Sequence, residues 1–332
     1  MLGLAVGDSL GNTSEGHLPE ERSRTFGTIR DYLPNHRVQG AATTATGRPK
    51  GYPTDDTQLA FWTLEQMLED GRMDPANVAT RFSRGSIFGI GSSVKEFLRN
   101  THAGLPWYQC GPESAGNGAL MRIAPVLIPH VARPSADLWV DAALCAMITH
   151  NDTASISACV AFVSILWELL AMSTAPTPDW WARQYISAAR DLETGKAYPP
   201  RGGPFRSYSG PLWQFVEERL VEARKQRLST LQACNSWYSG AFLAETVPSV
   251  LYILECHGQD PEEAILRAVN ETKDNDTVAA IVGAAAGALH GKRNLPSRWI
   301  EALSGRTTEK DDGKIFEILK LAREAWAGPL QA

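Results

Sequence analysis

Apolar residues recur at three- and four-residue spacing through most of this chain, and nowhere does a run of β-branched residues alternate with polar ones between turn signals. That pattern sets the fold class: helices bury one face against other helices, and strand content is very low. Residues 56–70 place Ala60, Leu64, Met67 and Leu68 on one side of a helix. Residues 138–148 and 153–172 read as two apolar helices and 212–225 as an amphipathic one. Residues 243–257 read as an apolar helix with Pro248 as a kink. Asp260-Pro261-Glu262-Glu263 is a helix start, with aspartate as N-cap, proline at the first helical position and glutamate at the third. Residues 278–290, 297–303 and 314–326 complete the set, so the expected architecture is all-α.

At 332 residues one large core is sufficient, and a single domain over 1–332 is expected. Three segments lack a period, 19–53, 105–118 and 198–210, and are expected to be long loops. The net charge of −5 leaves no basic footprint for nucleic acid and no polybasic patch for a membrane surface. The five cysteines are widely spaced, with no CxxC or paired Cys/His spacing, which argues against zinc and suits a reducing, cytoplasmic compartment. Cys145, Cys159 and Cys256 fall in apolar helical stretches and are expected to be buried thiols. The N-terminal MLGLAVGDSLG has no basic start and carries Asp8 inside its apolar run, unlike a signal peptide. The longest run of small apolar residues, 278–289, is too short to span a bilayer.

Two short acidic clusters each open a helix: Thr54-Asp55-Asp56-Thr57 and Asp274-Asn275-Asp276-Thr277. Alone, each reads as a cap, with carboxylates favoured at the positive helix end. Together they supply the hard oxygen donors that Mg²⁺ takes, and four carboxylates gathered without a cation would repel. Either they converge on one site or they are two caps that never meet. Glycine inside a helix costs about 1 kcal/mol relative to alanine. The four-residue spacing of Gly283, Gly287 and Gly291 therefore reads as close helix-to-helix approach. Gly116-Asn117-Gly118 either presents backbone N–H groups to an anion or is a tight turn. Asp8 needs a partner if buried. Glu15, just past Gly11, reads by itself as a solvated loop carboxylate.

With these residues in place, the chain resembles the ADP-ribosylglycohydrolase family, which includes the bacterial dinitrogenase-reductase-activating glycohydrolase and the animal ADP-ribosylarginine and ADP-ribosylserine hydrolases. Four motifs match in order, GDSLGNTSE, PTDDTQLA, GNGALMRIAPV and DNDTVAAI with its small-residue helix, so the resemblance covers most of the chain. It implies a compact orthogonal helical bundle with a central binuclear site for two Mg²⁺, or Mn²⁺. By motif, Thr54, Asp55 and Asp56 form the first metal cluster and Asp274, Asp276 and Thr277 the second, with Asp276 serving both ions. Glu15 matches the family glutamate seven residues past the aspartate of GD, which gates or activates the reactive ribose. Ser114, Ala115, Gly116, Asn117 and Gly118 match the diphosphate cradle, with Met121 a further substrate contact and His150 near the substrate's ribose or adenine end. The chain departs from the family at Lys273, where many members carry glycine before the second cluster. Lys273 is read as leaving the ligands intact, and Arg201 and Arg206 as solvated loop charges.

The implied reaction is hydrolysis at the anomeric carbon of the distal ribose, releasing ADP-ribose from a modified protein. Two metals about 3.5–4 Å apart would hold the ribose diol and a water. Asp55, Asp56 or Glu15 would handle the proton. Arginine is the first choice of acceptor; serine adducts, O-acetyl-ADP-ribose and ADP-ribose polymers are alternatives. Two rival readings are a non-catalytic binding member of the family and an immunity protein. The latter would neutralise an ADP-ribosyltransferase toxin by reversal or by steric blocking, with 19–53 as the plug.

Overall fold

The computed structural model describes residues 1–34 and 50–326. Among them every regular element is a helix, and the one pairing of extended backbone is an isolated antiparallel bridge between Gly116 and Phe242. The bundle is organised around two helices from opposite ends of the sequence, Leu2–Asn12 and Asn275–His290. Pro261–Glu271, Leu243–His257, Thr153–Leu170 and Asp55–Asp70 pack around them.

Glycine is what lets the central pair touch backbone to backbone. A Cβ added at Gly3 would lie 2.0 Å from the Gly283 carbonyl oxygen, and one at Gly7 would lie 1.9 Å from the Ala279 oxygen. One at Gly11 would lie 2.4 Å from Asp276 Cα. The contact stripe is therefore Gly3, Gly7 and Gly11 against Gly283 and its neighbours. Gly291 is not part of it: it ends the helix at φ 70° with open space where a side chain would go. Asn275 pins the same crossing, its Nδ2 donating to Gly11 O at 3.2 Å and Ser14 Oγ at 2.9 Å.

Several expectations change. Pro19–Phe26 is a helix, with Glu21 accepting from the Leu18 N–H, so 19–53 is not loop from end to end. Residues 35–49, the middle of the expected plug, lie outside the described residues. Within 105–118, Trp107–Cys110 forms a helical turn. Thr153–Leu170 is the apolar helix expected over 153–172. It is long and apolar enough to cross a membrane, but 67% of it is buried inside the bundle, where it forms core. Cys256 is exposed, because it faces outward from the Leu243–His257 helix. That helix runs through Pro248.

Candidate active site

Asp8 is fully buried in the N-terminal helix, and its partners are hydroxyl and amide donors. It accepts from Thr54 N at 3.0 Å, Thr54 Oγ1 at 2.8 Å, Thr57 N at 3.0 Å and Thr57 Oγ1. Four donors satisfy a carboxylate. Asp8 thus fixes the start of the Asp55–Asp70 helix, and the two threonines of TDDT face it. Of the aspartates between them, Asp56 brings its carboxylate within 4.8 Å of Asp8. Burial still pushes the Asp8 carboxyl up to about 6.

Asp56 and Asp276 meet at that point. Carboxylate oxygens of Asp8, Asp56 and Asp276 lie within 4.8 Å of one another, and so do those of Glu15, Asp274 and Asp276. Asp276 belongs to both groups, and Gly11 packing onto its Cα places it there. Thr54 Oγ1, whose proton goes to Asp8, lies 3.1 Å from an Asp56 carboxylate oxygen, and Thr277 bonds the Asp56 carboxylate. The two acidic clusters, 220 residues apart in sequence, therefore share one site. Burial, and then neighbouring negative charge, holds Asp56 and Asp276 well above the usual carboxylate range. Burial and then Asp8 push Asp55 up to about 8, and burial pushes Asp274 to about 6.

A divalent cation fits this donor set. Asp56 Oδ1 and Asp276 Oδ1 are buried without a hydrogen-bond partner. Orphaned carboxylate oxygens facing like charges need a cation or protons. The donors are all hard oxygens, of the kind Mg²⁺ and Mn²⁺ take.

A cavity of about 800 Å³ opens over the carboxylates. Its walls include Glu15, Thr54, Asp55, Asp56, Asp274, Asp276 and Thr277, together with Ser114, Gly116, Asn117, Gly118, Met121 and His150. Ala115 is the exception. Its carbonyl accepts from Leu243 N at 2.9 Å in the pairing beside the Gly116–Phe242 bridge, and its side chain is buried away from the cavity. Two amides of the expected cradle are also used internally. Gly116 N donates to Ser114 Oγ at 3.2 Å and Asn117 N to Ala241 O at 3.3 Å. The Gly118 position makes room for His150, whose Cε1 would be 2.9 Å from an added Cβ. Burial, then Arg122, lowers His150 to about 3, so the ring is neutral. Asn117 Nδ2 reaches Asp274 at 2.6 Å and couples this loop to the carboxylates.

Other residues do work that the sequence alone concealed. Arg22, fully buried, donates to Ser14 Oγ at 3.0 Å, His17 O at 3.0 Å and Thr272 O at 2.7 Å, tying the Glu15 turn to the segment before Asp274. Tyr238 and Ser239 adopt φ of 80° and 40°, a strained pair costing about 1–3 kcal/mol each. Ser239 O accepts from Asp274 N at 3.0 Å. Lys273 is engaged with this turn, its ammonium 3.9 Å from the Tyr238 ring centroid and bonded to the phenol oxygen. Arg201 is not simply solvated: it lines the cavity, and its N–H groups reach the fully buried Glu245. The one sequence signal for these roles is the position of Lys273 directly before Asp274.

Comparison with known proteins identifies the family and the fold. The chain matches the sequence profile described as ADP-ribosylglycohydrolase over residues 1–328. It is 27% identical to the ADP-ribosylarginine hydrolase Tri1 of Pseudomonas putida, over 92% of this chain and 73% of that one. It is 26% identical to the ADP-ribosyl-[dinitrogen reductase] glycohydrolase of Rhodospirillum rubrum, over 97% and 94%. A solved structure titled ADP-ribosylglycohydrolase-related protein complex superposes with a TM-score of 0.69 at 28% identity, covering 98% of this chain and 95% of that one. The chain belongs to the ADP-ribosylglycohydrolase family, hydrolases that act on ADP-ribosylated substrates.

Proposed function

We propose that this enzyme releases ADP-ribose from a modified protein side chain, arginine first, and that it works with two Mg²⁺ held by Asp55, Asp56, Asp274, Asp276, Thr54 and Thr277. The observation that carries the reading is the meeting of both acidic clusters at Asp276, with buried oxygens left unpaired. Bound there, the cations would supply Lewis-acid charge to the ribose diol and to a water. Asn117 orients Asp274, and Asp8 orients Thr54, so the donors keep their places before substrate arrives. Glu15 and Asp55 border the open side of the cavity, where one of them takes the proton from the attacking water. Neutral His150 donates or accepts a hydrogen bond at the far end without adding charge. The arginine preference rests on the acceptor named for the Pseudomonas putida relative.

The test is incubation with arginine-, serine- and cysteine-linked ADP-ribose substrates, with Mg²⁺ and with EDTA. Release of ADP-ribose from the arginine adduct in Mg²⁺, abolished by EDTA, is the expected result. Undiminished rates in EDTA would remove the metals from the mechanism, and turnover of the serine adduct alone would replace the acceptor. Glu15→Gln is expected to slow single turnover by about tenfold or more while ADP-ribose titrates as for wild type. A wild-type rate would move the proton to Asp55 or Asp56.

A further inference from the structure

Arg306 has no part in the roles above. It is 5% exposed, it lines the cavity, and among the described residues it has no hydrogen-bond or ion-pair partner. Its Nε and Nη1 are buried without one. Two rings hold it, with the guanidinium carbon 3.7 Å from the Phe88 centroid and 4.7 Å from that of Tyr52. Its mount is firm. Gln58 Nε2 donates to Thr307 O at 2.9 Å, Gln58 Oε1 accepts from Phe88 N at 2.9 Å, and Ser304 N donates to Gly51 O at 2.9 Å. Rings satisfy only the faces of a guanidinium; its edge carries N–H donors that match a carboxylate. Glu309, the carboxylate acting most on it, stands exposed on the rim and forms no ion pair with it.

The place of Arg306 in the cavity gives that edge its occupant. One wall runs from Phe88, against Arg306, to Ser92 and Val94; Ser93, between these two, bonds Ser114 Oγ at 2.8 Å, and Ser114 lines the cavity too. The carboxylates lie between these ends: Gly89 backs onto Asp55, and Asn117 touches Asp274. On the reading of the preceding subsection, on which this inference rests, the reacting ribose sits at the carboxylates and the rest of ADP-ribose extends toward His150, which packs at Gly118. The modified protein then enters on the Arg306 side. We propose that Arg306 binds the carboxylate of an aspartate or glutamate next to the ADP-ribosylated side chain, so that the enzyme selects acidic target segments.

The experiment uses two ADP-ribosylated peptides that differ only in a glutamate or glutamine beside the modified residue. Wild type should favour the glutamate peptide in kcat/KM by about tenfold, mostly through KM, and the preference should shrink in high salt. Arg306→Gln should abolish the preference, leaving the glutamine peptide's rate and free ADP-ribose affinity within about twofold of wild type. Arg306→Lys, keeping charge without the planar fork, should retain part of it. A wild-type enzyme indifferent to the pair overturns the proposal, and that comparison stands even if Arg306→Gln fails to fold. So does an Arg306→Gln enzyme that loses ADP-ribose affinity and both peptides equally, which would make Arg306 a diphosphate contact. Turnover of neither peptide would overturn the preceding reading along with this one.

Discussion

Asp276→Ala is expected to lower the hydrolysis of ADP-ribosylated protein by about a thousandfold or more, roughly 4 kcal/mol of barrier, with native helical circular dichroism. Asp276 is the one carboxylate common to both acidic groups, so its loss strips donors from both halves of the site at once. The protein should not unfold in consequence. Asp276 is 4% exposed among like charges, and in metal-free protein its removal relieves repulsion. In EDTA the variant should melt no lower than wild type. Wild type should gain about 2.7 kcal/mol when Mg²⁺ reaches a hundred times its dissociation constant, a stabilisation the variant lacks. An Asp276→Ala protein that keeps more than about a tenth of the rate, or that still melts higher in Mg²⁺, would remove Asp276 from the centre of the site.

Gly7→Ala is expected to be among the most damaging single-methyl additions in the molecule, and Gly287→Ala among the mildest. At Gly7 the new methyl would sit 1.9 Å from the Ala279 carbonyl oxygen, which is backbone and cannot swing aside. The helices must separate, at more than about 3 kcal/mol. The same separation moves Asp8 away from Asp276, so residual folded protein should also bind Mg²⁺ weakly. At Gly287 the nearest atoms, Gly3 N and Cα, are 3.6 and 3.7 Å away, an ordinary contact. There the gain in helix propensity, up to about 1 kcal/mol, should dominate. Chemical denaturation of the two variants side by side decides it. Equal losses would mean that the contact stripe is not what holds the pair together.

Local sequence spoke most clearly where local chemistry decides. Asp260 caps its helix through the N–H groups of Glu262 and Glu263, as its Asp-Pro-Glu-Glu context requires, and residues 314–326 form the helix that their spacing predicts. Signals of the same kind stand at two further helix starts. Asp74-Pro75 caps Pro75–Arg84 in the same manner, and Thr177-Pro178 opens Pro178–Ala189. Motifs identified the carboxylates, but what each one touches depends on crossings that no local pattern encodes. Asp8 was legible only as a charge needing a partner; that Thr54 and Thr57 supply it follows from the glycine contact. Arg22 and Arg306 look like surface arginines in sequence. Their burial comes from carbonyls near residue 272 and from rings at 52 and 88.

The pairing of Leu2–Asn12 with Asn275–His290 also dictates an order of events during synthesis. The Leu2–Asn12 helix leaves the ribosome some 270 residues ahead of its mate. At about 5–20 residues per second it waits for tens of seconds. Its glycine-lined face is poor at holding a helix by itself, so the segment stays a chain rather than a helix through that time. The bundle then closes late, by bringing together ends separated by nearly the whole sequence, a slow step by contact order. Asp8 and Asp276 ride on these two helices, so the acidic centre cannot exist in any partly made chain. Pulse-labelled amide exchange should show protection of residues 2–12 arriving together with that of 275–290, and after that of 153–170.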